Sequence, residues 1–411
     1  MLPYLLTASL KKTGEEKTVC ILVATSGDTG KAALEGFRDV DRTKILVFYP
    51  DGGVSEIQKL QMVTQEGGNV GVCAVRGNFD DAQTGVKTLF SDVSLREELA
   101  ARGVPCFQIK LDGNPLAAAK QLAAYCREHE IEVIHAQYPR ENIIALLSLR
   151  HYAAPKVVYT NHLTIRSGLK WRVLNRIFTP RDHKIIAVCR EGRDIMVQNG
   201  VCPERIEVIY NGVEPEKAPV RDLSVRPELG VGEGEFMLTI LARYAPEKGL
   251  FFLLDALAEL KKLTDKPFRC VICGDGEQFD EVNQKAQALG LGETVIQTGF
   301  RRDAGRILRA SDIYLNTSSC NEAMSFAILE AMNCALPLVV TDVGGNRDLA
   351  ETNIPCGFVV QYGDVSGFAS AILRLMEDEA LYKQFSADAL RKVSEEFDLE
   401  KLAWDVYRAY Q

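Results

Sequence analysis

The sequence predicts an α/β protein built from two domains with parallel sheets. Three observations carry this. Short β-branched runs alternate with longer helical stretches. The runs are nearly continuously apolar, as in strands buried on both faces, rather than alternating. The alternation also breaks once, over Asn211 to Glu235, and then restarts. The break holds Pro215, Pro219, Pro227, Gly230, Gly232 and Gly234 with many charges and no periodicity, a composition suited to an interdomain linker.

Before the break, Val19–Thr25, Lys44–Tyr49, Asn69–Val75, Pro105–Leu111, Glu132–His135, Lys156–Asn161, Asp182–Val188 and Arg205–Ile209 read as strands. After it, Phe236–Ala242, Arg269–Cys273, Thr294–Gly299, Ile313–Asn316 and Pro337–Thr341 do so, with helices expected over Phe251–Leu263, Phe279–Leu289 and Phe326–Asn333. Ser366 to Gln411 reads as amphipathic helix.

The 411 residues are 46% hydrophobic and 25% charged, which excludes a disordered chain, a collagen and a simple coiled coil. No apolar run approaches the ~20 residues of a membrane span. With 48 Lys+Arg against 56 Asp+Glu the net charge is −8, which argues against nucleic acid as the main partner. Eleven scattered cysteines and no leader-like start at Met1-Leu2-Pro3-Tyr4 suggest reduced thiols and a cytoplasmic protein. Cys270 and Cys273 fit C-x-x-C but lie in an expected strand, where residues i and i+3 face opposite sides, so redox or metal work is not expected.

The second domain carries the clearest chemistry. Arg243 and Lys248-Gly249 follow a strand and open a helix, which puts two cations and free amides where an anion binds. The competing reading is a solvated pair of Arg243 with Glu247. Gly274-Asp275-Gly276 ends the next strand and suits either close ligand approach or a plain turn. Glu322 and Glu330 flank seven residues that include Met324, Ser325 and Phe326. Glu322 is expected at a helix N-terminus, and Glu330, among Ala, Ile, Leu and Met, is expected on an apolar face where it needs a hydroxyl or N–H partner. Asp39-Val-Asp41, the only D-x-D, lies far from these motifs and reads as exposed, so no catalytic metal is expected. Arg166 to Phe178 is basic with interleaved aromatics and a loose apolar stripe of Leu169, Val173, Leu174 and Ile177. An ordinary core helix with a cationic solvent face is expected, with a membrane-surface helix as the alternative.

In order and spacing these pieces resemble the retaining family-4 glycosyltransferases with the two-Rossmann GT-B fold, over about residues 95–411. Val133-Ile-His135-Ala, Tyr159-Thr-Asn-His162, Ala187-Val-Cys-Arg190, Asn211-Gly212-Val213 and Val343-Gly344-Gly345 add to the likeness. The resemblance implies a nucleotide-diphosphate sugar donor, its diphosphate held by Arg243 and Lys248, its ribose by Glu330 and its sugar faced by Glu322. His162 would sit near the bond that breaks. Gly274, Met324, Ser325 and Phe326 complete the expected donor site. Ala323 and Ser325 depart from the family's usual glycine or proline, and a positive φ at Ala323 would cost stability. Asp348 also stands where a Glu commonly follows the Gly-Gly pair.

The first ninety residues do not follow this pattern. Ser26-Gly27-Asp28-Thr29-Gly30, with Val54–Met62 and Gly77–Gly85, resembles threonine synthase, a pyridoxal-phosphate enzyme, over about residues 2–92. That family's Schiff-base lysine segment and its downstream substrate elements have no counterpart here, so neither pyridoxal phosphate nor threonine synthase activity is expected. Val19–Thr25, the turn and the following helix share the plan of a glycosyltransferase opening. The fragment either completes the first sheet, with Gly27 and Gly30 offering amides to a phosphate, or forms a separate lobe.

The expected organisation is a threonine synthase-like segment at 1–94, the acceptor side of a GT-B enzyme at 95–214, a linker at 215–235, a donor domain at 236–395 and a C-terminal helix at 396–411. The expected activity is retaining transfer of a sugar to a glycan or lipid-linked acceptor without a cofactor, by a cytoplasmic protein with peripheral contact at the inner membrane face. The alternative is a non-catalytic nucleotide-sugar binder.

Overall fold

The structure, a computed structural model, describes residues 19–24, 34, 37–40, 43–50, 68–75, 114–301, 303–320 and 322–411. The expected strand Pro105–Leu111 and the Gly27/Gly30 turn lie outside these. The chain divides into two compact units, Met1–Lys110 and Leu111–Gln411.

In the first unit, β1 (Val19–Ala24), β2 (Thr43–Pro50) and β3 (Val70–Val75) form a parallel sheet in the order β1-β2-β3. Leu34, Phe37, Ile45 and Val47 are buried. The Asn69 side chain ties the sheet to the preceding turn by donating to the Phe37 carbonyl at 2.7 Å. Asp39 is exposed, as expected, and its carboxylate accepts from the Gly68 N–H.

The second unit holds two parallel sheets. The first is β4 (Val133–Ala136), β5 (Lys156–Asn161), β6 (Lys184–Ala187) and β7 (Ile206–Val208), paired in chain order. Helices Pro139–Ser148, Leu169–Phe178 and Arg190–Gln198 connect these strands. The second sheet comprises β8 (Phe236–Leu241), β9 (Phe268–Cys273), β10 (Val295–Gly299), β11 (Ile313–Asn316), β12 (Leu338–Thr341) and β13 (Gly357–Val360), in the order β10-β9-β8-β11-β12-β13. Counted from β8 this is the doubly wound order of a Rossmann fold, whose direction of winding reverses between β8 and β11. In folds wound in this order, ligands bind outside the carboxyl ends of those two strands. Both sheets are Rossmann-like, and the expected α/β class with two such bodies holds.

Cys270 packs in the cluster with Leu238 and Ile272, and Cys273 packs in the one with Met237 and Val271. The two thiols therefore lie on opposite faces of β9, and burial pushes both pKa values up. Strand β13 was not expected from sequence: it has four residues and opens on glycine, a poor strand former. Gly357 is needed there because a Cβ would stand 2.4 Å from the Leu338 carbonyl oxygen of β12.

The later part of the Asn211–Glu235 break packs closely against the fold, and one expectation is corrected. Val225 is fully buried, and Arg221 and Arg226 both bind the Asp312 carboxylate, at 2.6 and 2.7 Å. Charges that look solvated in sequence are paired across the fold. The helix Leu169–Phe178 is not an ordinary core helix. It buries Asn175, while Leu169, Val173 and Ile177 are 77%, 49% and 54% exposed. Polarity is a poor guide here because Asn175 has a fixed partner, donating to the Asn199 carbonyl at 2.9 Å.

Asp182, just before β6, is 1% exposed and accepts from the Asn142 side-chain amide at 3.0 Å. Burial pushes its carboxyl pKa up to about 8, against a smaller lowering by that hydrogen bond. Asp182 Oδ1 and Asn142 Oδ1 are buried without partners among the described residues, so a proton retained on Asp182 supplies a donor that this pair lacks. A raised carboxyl pKa stabilises the fold at low pH and loses that contribution as pH rises through the folded value. The melting temperature is therefore expected to fall by several degrees between about pH 5 and pH 8 and to level off above that, and Asp182→Asn is expected to flatten that fall in a thermal-denaturation series.

Candidate donor site at the sheet switch point

The site grows from the two loops that leave β8 and β11. After β8 the chain turns through Pro246–Lys248 and enters helix Leu250–Leu263 at Gly249, whose φ is +63°. A side chain on Gly249 would place Cβ 2.1 Å from the Thr317 carbonyl oxygen, so glycine is required for the two loops to touch. They are then stitched together. Thr317 Oγ1 donates to the Lys248 carbonyl at 2.9 Å, and the Ser319 N–H donates to the Glu247 carbonyl at 2.8 Å.

This stitching presents Lys248 to Glu322. Lys248 Nζ lies 2.7 Å from Glu322 Oε2, and Ser318 Oγ donates to the same oxygen at 2.7 Å. Glu322 itself is 9% exposed. Its backbone is held from behind by the Gly-Gly turn: a Cβ on Gly344 (φ +60°) would fall 1.5 Å from the Glu322 carbonyl oxygen, and the Gly345 N–H donates to the Ala323 carbonyl at 2.8 Å. Ala323 is not among the residues with positive φ, so the strain its sequence suggested is absent. Helix Phe326–Asn333 begins at Ser325, whose side chain makes no cap hydrogen bond, leaving the first-turn amides open. Met324 and Ser325 are buried and Phe326 is 52% exposed.

Arg243 pairs with Glu247 and is half exposed. Glu330 is corrected from the expected apolar face to an exposed position. Its neighbours Ile328, Leu329, Ala331 and Met332 are buried, but successive helical residues diverge by about 100°, so flanking apolar residues do not bury the one between them. Tyr314 of β11 is fully buried, its hydroxyl donates to the Leu241 carbonyl, and burial, with smaller effects of the Glu330 and Glu322 charges, pushes its pKa up. Gly274 is needed for close packing: a Cβ there would stand 1.9 Å from the Ala242 carbonyl oxygen.

His162 follows β5 and accompanies the opposite wall. Its Nε2–H donates to Gln137 Oε1 at 2.9 Å, just beyond β4, and burial lowers its pKa. The neutral ring therefore leaves Nδ1 as an open acceptor. Two residues on, Thr164 Oγ1 donates to the Glu322 carbonyl at 3.2 Å, joining the loop of His162 to the loop of Glu322. Behind His162, His135 is fixed through both ring nitrogens, to Tyr410 Oη at 2.8 Å and Thr160 Oγ1 at 2.7 Å. Burial, with a smaller effect of His162, lowers its pKa to about 4. The two walls meet again where the Arg190 N–H donates to buried Asp348 at 2.8 Å. Ser318, Thr164, Gln137 and Tyr410 were not found in sequence. Each acts through a partner far along the chain, and a lone Ser, Thr, Gln or Tyr carries no local signal.

Residues 63–217 match the family model described as Glycosyltransferase Family 4, and residues 223–392 match Glycosyl transferases group 1. The chain belongs to the family-4 glycosyltransferases. The UDP-Gal:alpha-D-GlcNAc-diphosphoundecaprenol alpha-1,3-galactosyltransferase of Escherichia coli is 28% identical over 290 residues, 67% of this chain and 74% of that protein. The Anabaena Alr3699/HepE structure in complex with UDP aligns with a TM-score of 0.67 at 21% identity, covering 95% of this chain and 98% of that one, which places this glycosyltransferase in the GT-B fold. The N-terminal segment is related elsewhere: the threonine synthase of Pseudomonas aeruginosa is 48% identical over 92 residues, 22% of this chain but only 19% of that enzyme.

Gly344→Ala is expected to lower stability by about 3 kcal/mol or more, because its Cβ and the Glu322 carbonyl cannot both keep their places. Chemical denaturation measures this. Gln137→Ala is expected to lower kcat with little change in donor affinity, while Gln137→Glu is expected to raise the acidic limb of the pH–rate profile by stabilising a charged His162.

Proposed function

We propose that this glycosyltransferase moves a sugar from a nucleotide-diphosphate donor, with retention at the anomeric carbon, to a glycan or lipid-linked acceptor. The observation that carries this is the Lys248–Glu322–Ser318 contact at the carboxyl ends of β8 and β11, beside open helix amides. In this reading Lys248 and Arg243 balance the charge that develops on the leaving diphosphate. Arg243 exchanges Glu247 for phosphate, Glu330 binds the ribose from its exposed position, and Glu322 faces the sugar. The acceptor oxygen bonds to the anomeric carbon as the carbon–phosphate-oxygen bond breaks. The bonding pair leaves with the diphosphate, whose oxygen takes the acceptor proton on the same face. His162 steadies the sugar from the opposite wall.

The proposed division of labour is an acceptor side within 95–214 and a donor domain at 236–395, joined by 215–235, with the helical segment 396–411 returning to the acceptor side. The name of the Escherichia coli relative supports a UDP-sugar donor and an acceptor carried on a lipid diphosphate. Such an acceptor brings the protein to a membrane face.

A panel of UDP-, GDP- and ADP-sugars screened by thermal shift tests the donor assignment. A UDP-sugar at about 100 times its Kd is expected to stabilise the chain by about 2.7 kcal/mol, and Lys248→Ala or Glu330→Ala is expected to abolish the shift. Proton NMR of the first product reports the anomeric configuration, and inversion would overturn the retaining mechanism.

A further inference from the structure

Between residues 142 and 181 there are seven Lys or Arg and no Asp or Glu, in a chain whose net charge is −8. That stretch includes helix Leu169–Phe178 and the loop before it. At about 100° per residue, Leu169, Val173 and Ile177 share one arc of the helix, and all three are exposed. The face that holds buried Asn175 lies on the other side. Leu163 and Ile165, 39% and 50% exposed, extend the aliphatic surface into the loop. Around the helix, Arg172 and Arg176 flank one border of the stripe and Lys170 the other, with Arg166 in the loop, and all four are exposed. None of these four forms an ion pair among the described residues, whereas cations elsewhere in the second unit are commonly paired, as Arg226, Arg269, Arg301 and Arg347 are.

We propose that this helix and its preceding loop dock on an anionic lipid bilayer, the aliphatic stripe entering the headgroup boundary and the flanking cations meeting lipid phosphates. An aliphatic stripe bordered on both sides by long cationic side chains is the arrangement that an interface rewards: the apolar groups leave water while the cations stay at headgroup level. The ring systems of the helix do not form the exposed surface, since Trp171 and Phe178 are half-buried, so base stacking has no platform. No helix among the described residues is long and apolar enough to cross a membrane, so the contact is peripheral.

The surface has a direct bearing on the site. The loop that leads into this helix begins at His162 and includes Thr164, which bonds Glu322. Docking would bring the proposed acceptor wall to the bilayer, where a lipid-linked acceptor is presented. This consequence rests on the proposed acceptor class; the docking itself does not.

The test uses the full chain and sedimentation with vesicles of phosphatidylcholine alone or with 30% phosphatidylglycerol. The chain is expected to bind the anionic vesicles about tenfold or more tightly than the neutral ones, and to release as salt rises. Leu169→Ser/Val173→Ser/Ile177→Ser and Arg166→Gln/Lys170→Gln/Arg172→Gln/Arg176→Gln are each expected to reduce binding about tenfold. Circular dichroism and an unchanged UDP-sugar thermal shift confirm that both variants remain folded and separate this proposal from the donor assignment. Equal binding to both vesicle types, or binding unaltered in the two variants, would overturn it. So would a wild-type dimer that the aliphatic variant converts to monomer without lipid, or equally tight binding of a polyanion that the aliphatic variant retains.

Discussion

The contact between Lys248 and Glu322 governs how the donor side is built. It joins the loops after β8 and β11, the two strands between which the winding of the sheet reverses. Glu322 is buried, so its carboxylate depends on Lys248 and on the Ser318 hydroxyl for its partners. The surrounding backbone serves this pairing. Gly249 lets one loop press against Thr317, and Gly344 lets the Gly-Gly turn press against Glu322 itself. In the proposed donor site a phosphate would meet a lysine already held in place, which reduces the ordering that binding must impose.

Much of the sheet architecture was legible because buried parallel strands write themselves as unbroken β-branched runs. Lys156–Asn161 and Ile313–Asn316 were read with their observed limits. The failures have a common origin. Glu330 was placed by its neighbours in sequence, but in a helix those neighbours point elsewhere. Helix Leu169–Phe178 was assigned its inward face by polarity, whereas Asn175 is the residue that faces in. Arg221 and Arg226 give no local sign of a partner, because Asp312 lies far along the chain. Local pattern reports strand and helix well, but it does not report which side of a helix finds a partner.

The site was legible as a set of motifs and much less so as a set of contacts. Arg243 and Lys248 stand out because cations on a strand-end loop favour anions, and Glu322 because a carboxylate suits a helix N-terminus. The hydroxyl of Ser318, the amide of Gln137 and the phenol of Tyr410 are common side chains that acquire a role only through the fold. At the N-terminus, homology to threonine synthase covers 92 residues, and the glycosyltransferase match begins at residue 63. With the threonine synthase likeness taken over about residues 2–92, the two overlap in a stretch that includes β3. Short parallel α/β units from different families share the same hydrophobic pattern, which makes such a junction tolerable to both.

Tyr410 belongs, by chain position, with the terminal helices that follow the donor domain, yet its hydroxyl holds His135 in the other sheet, and its carbonyl accepts from Lys156 at 3.2 Å. The two Rossmann-like bodies are therefore not consecutive lengths of polypeptide. Severing the chain between the two sheets would leave the wall that carries His135 and His162 without the phenol that fixes one of its histidines, so that half, made by itself, would not reproduce the surface it presents in the intact molecule.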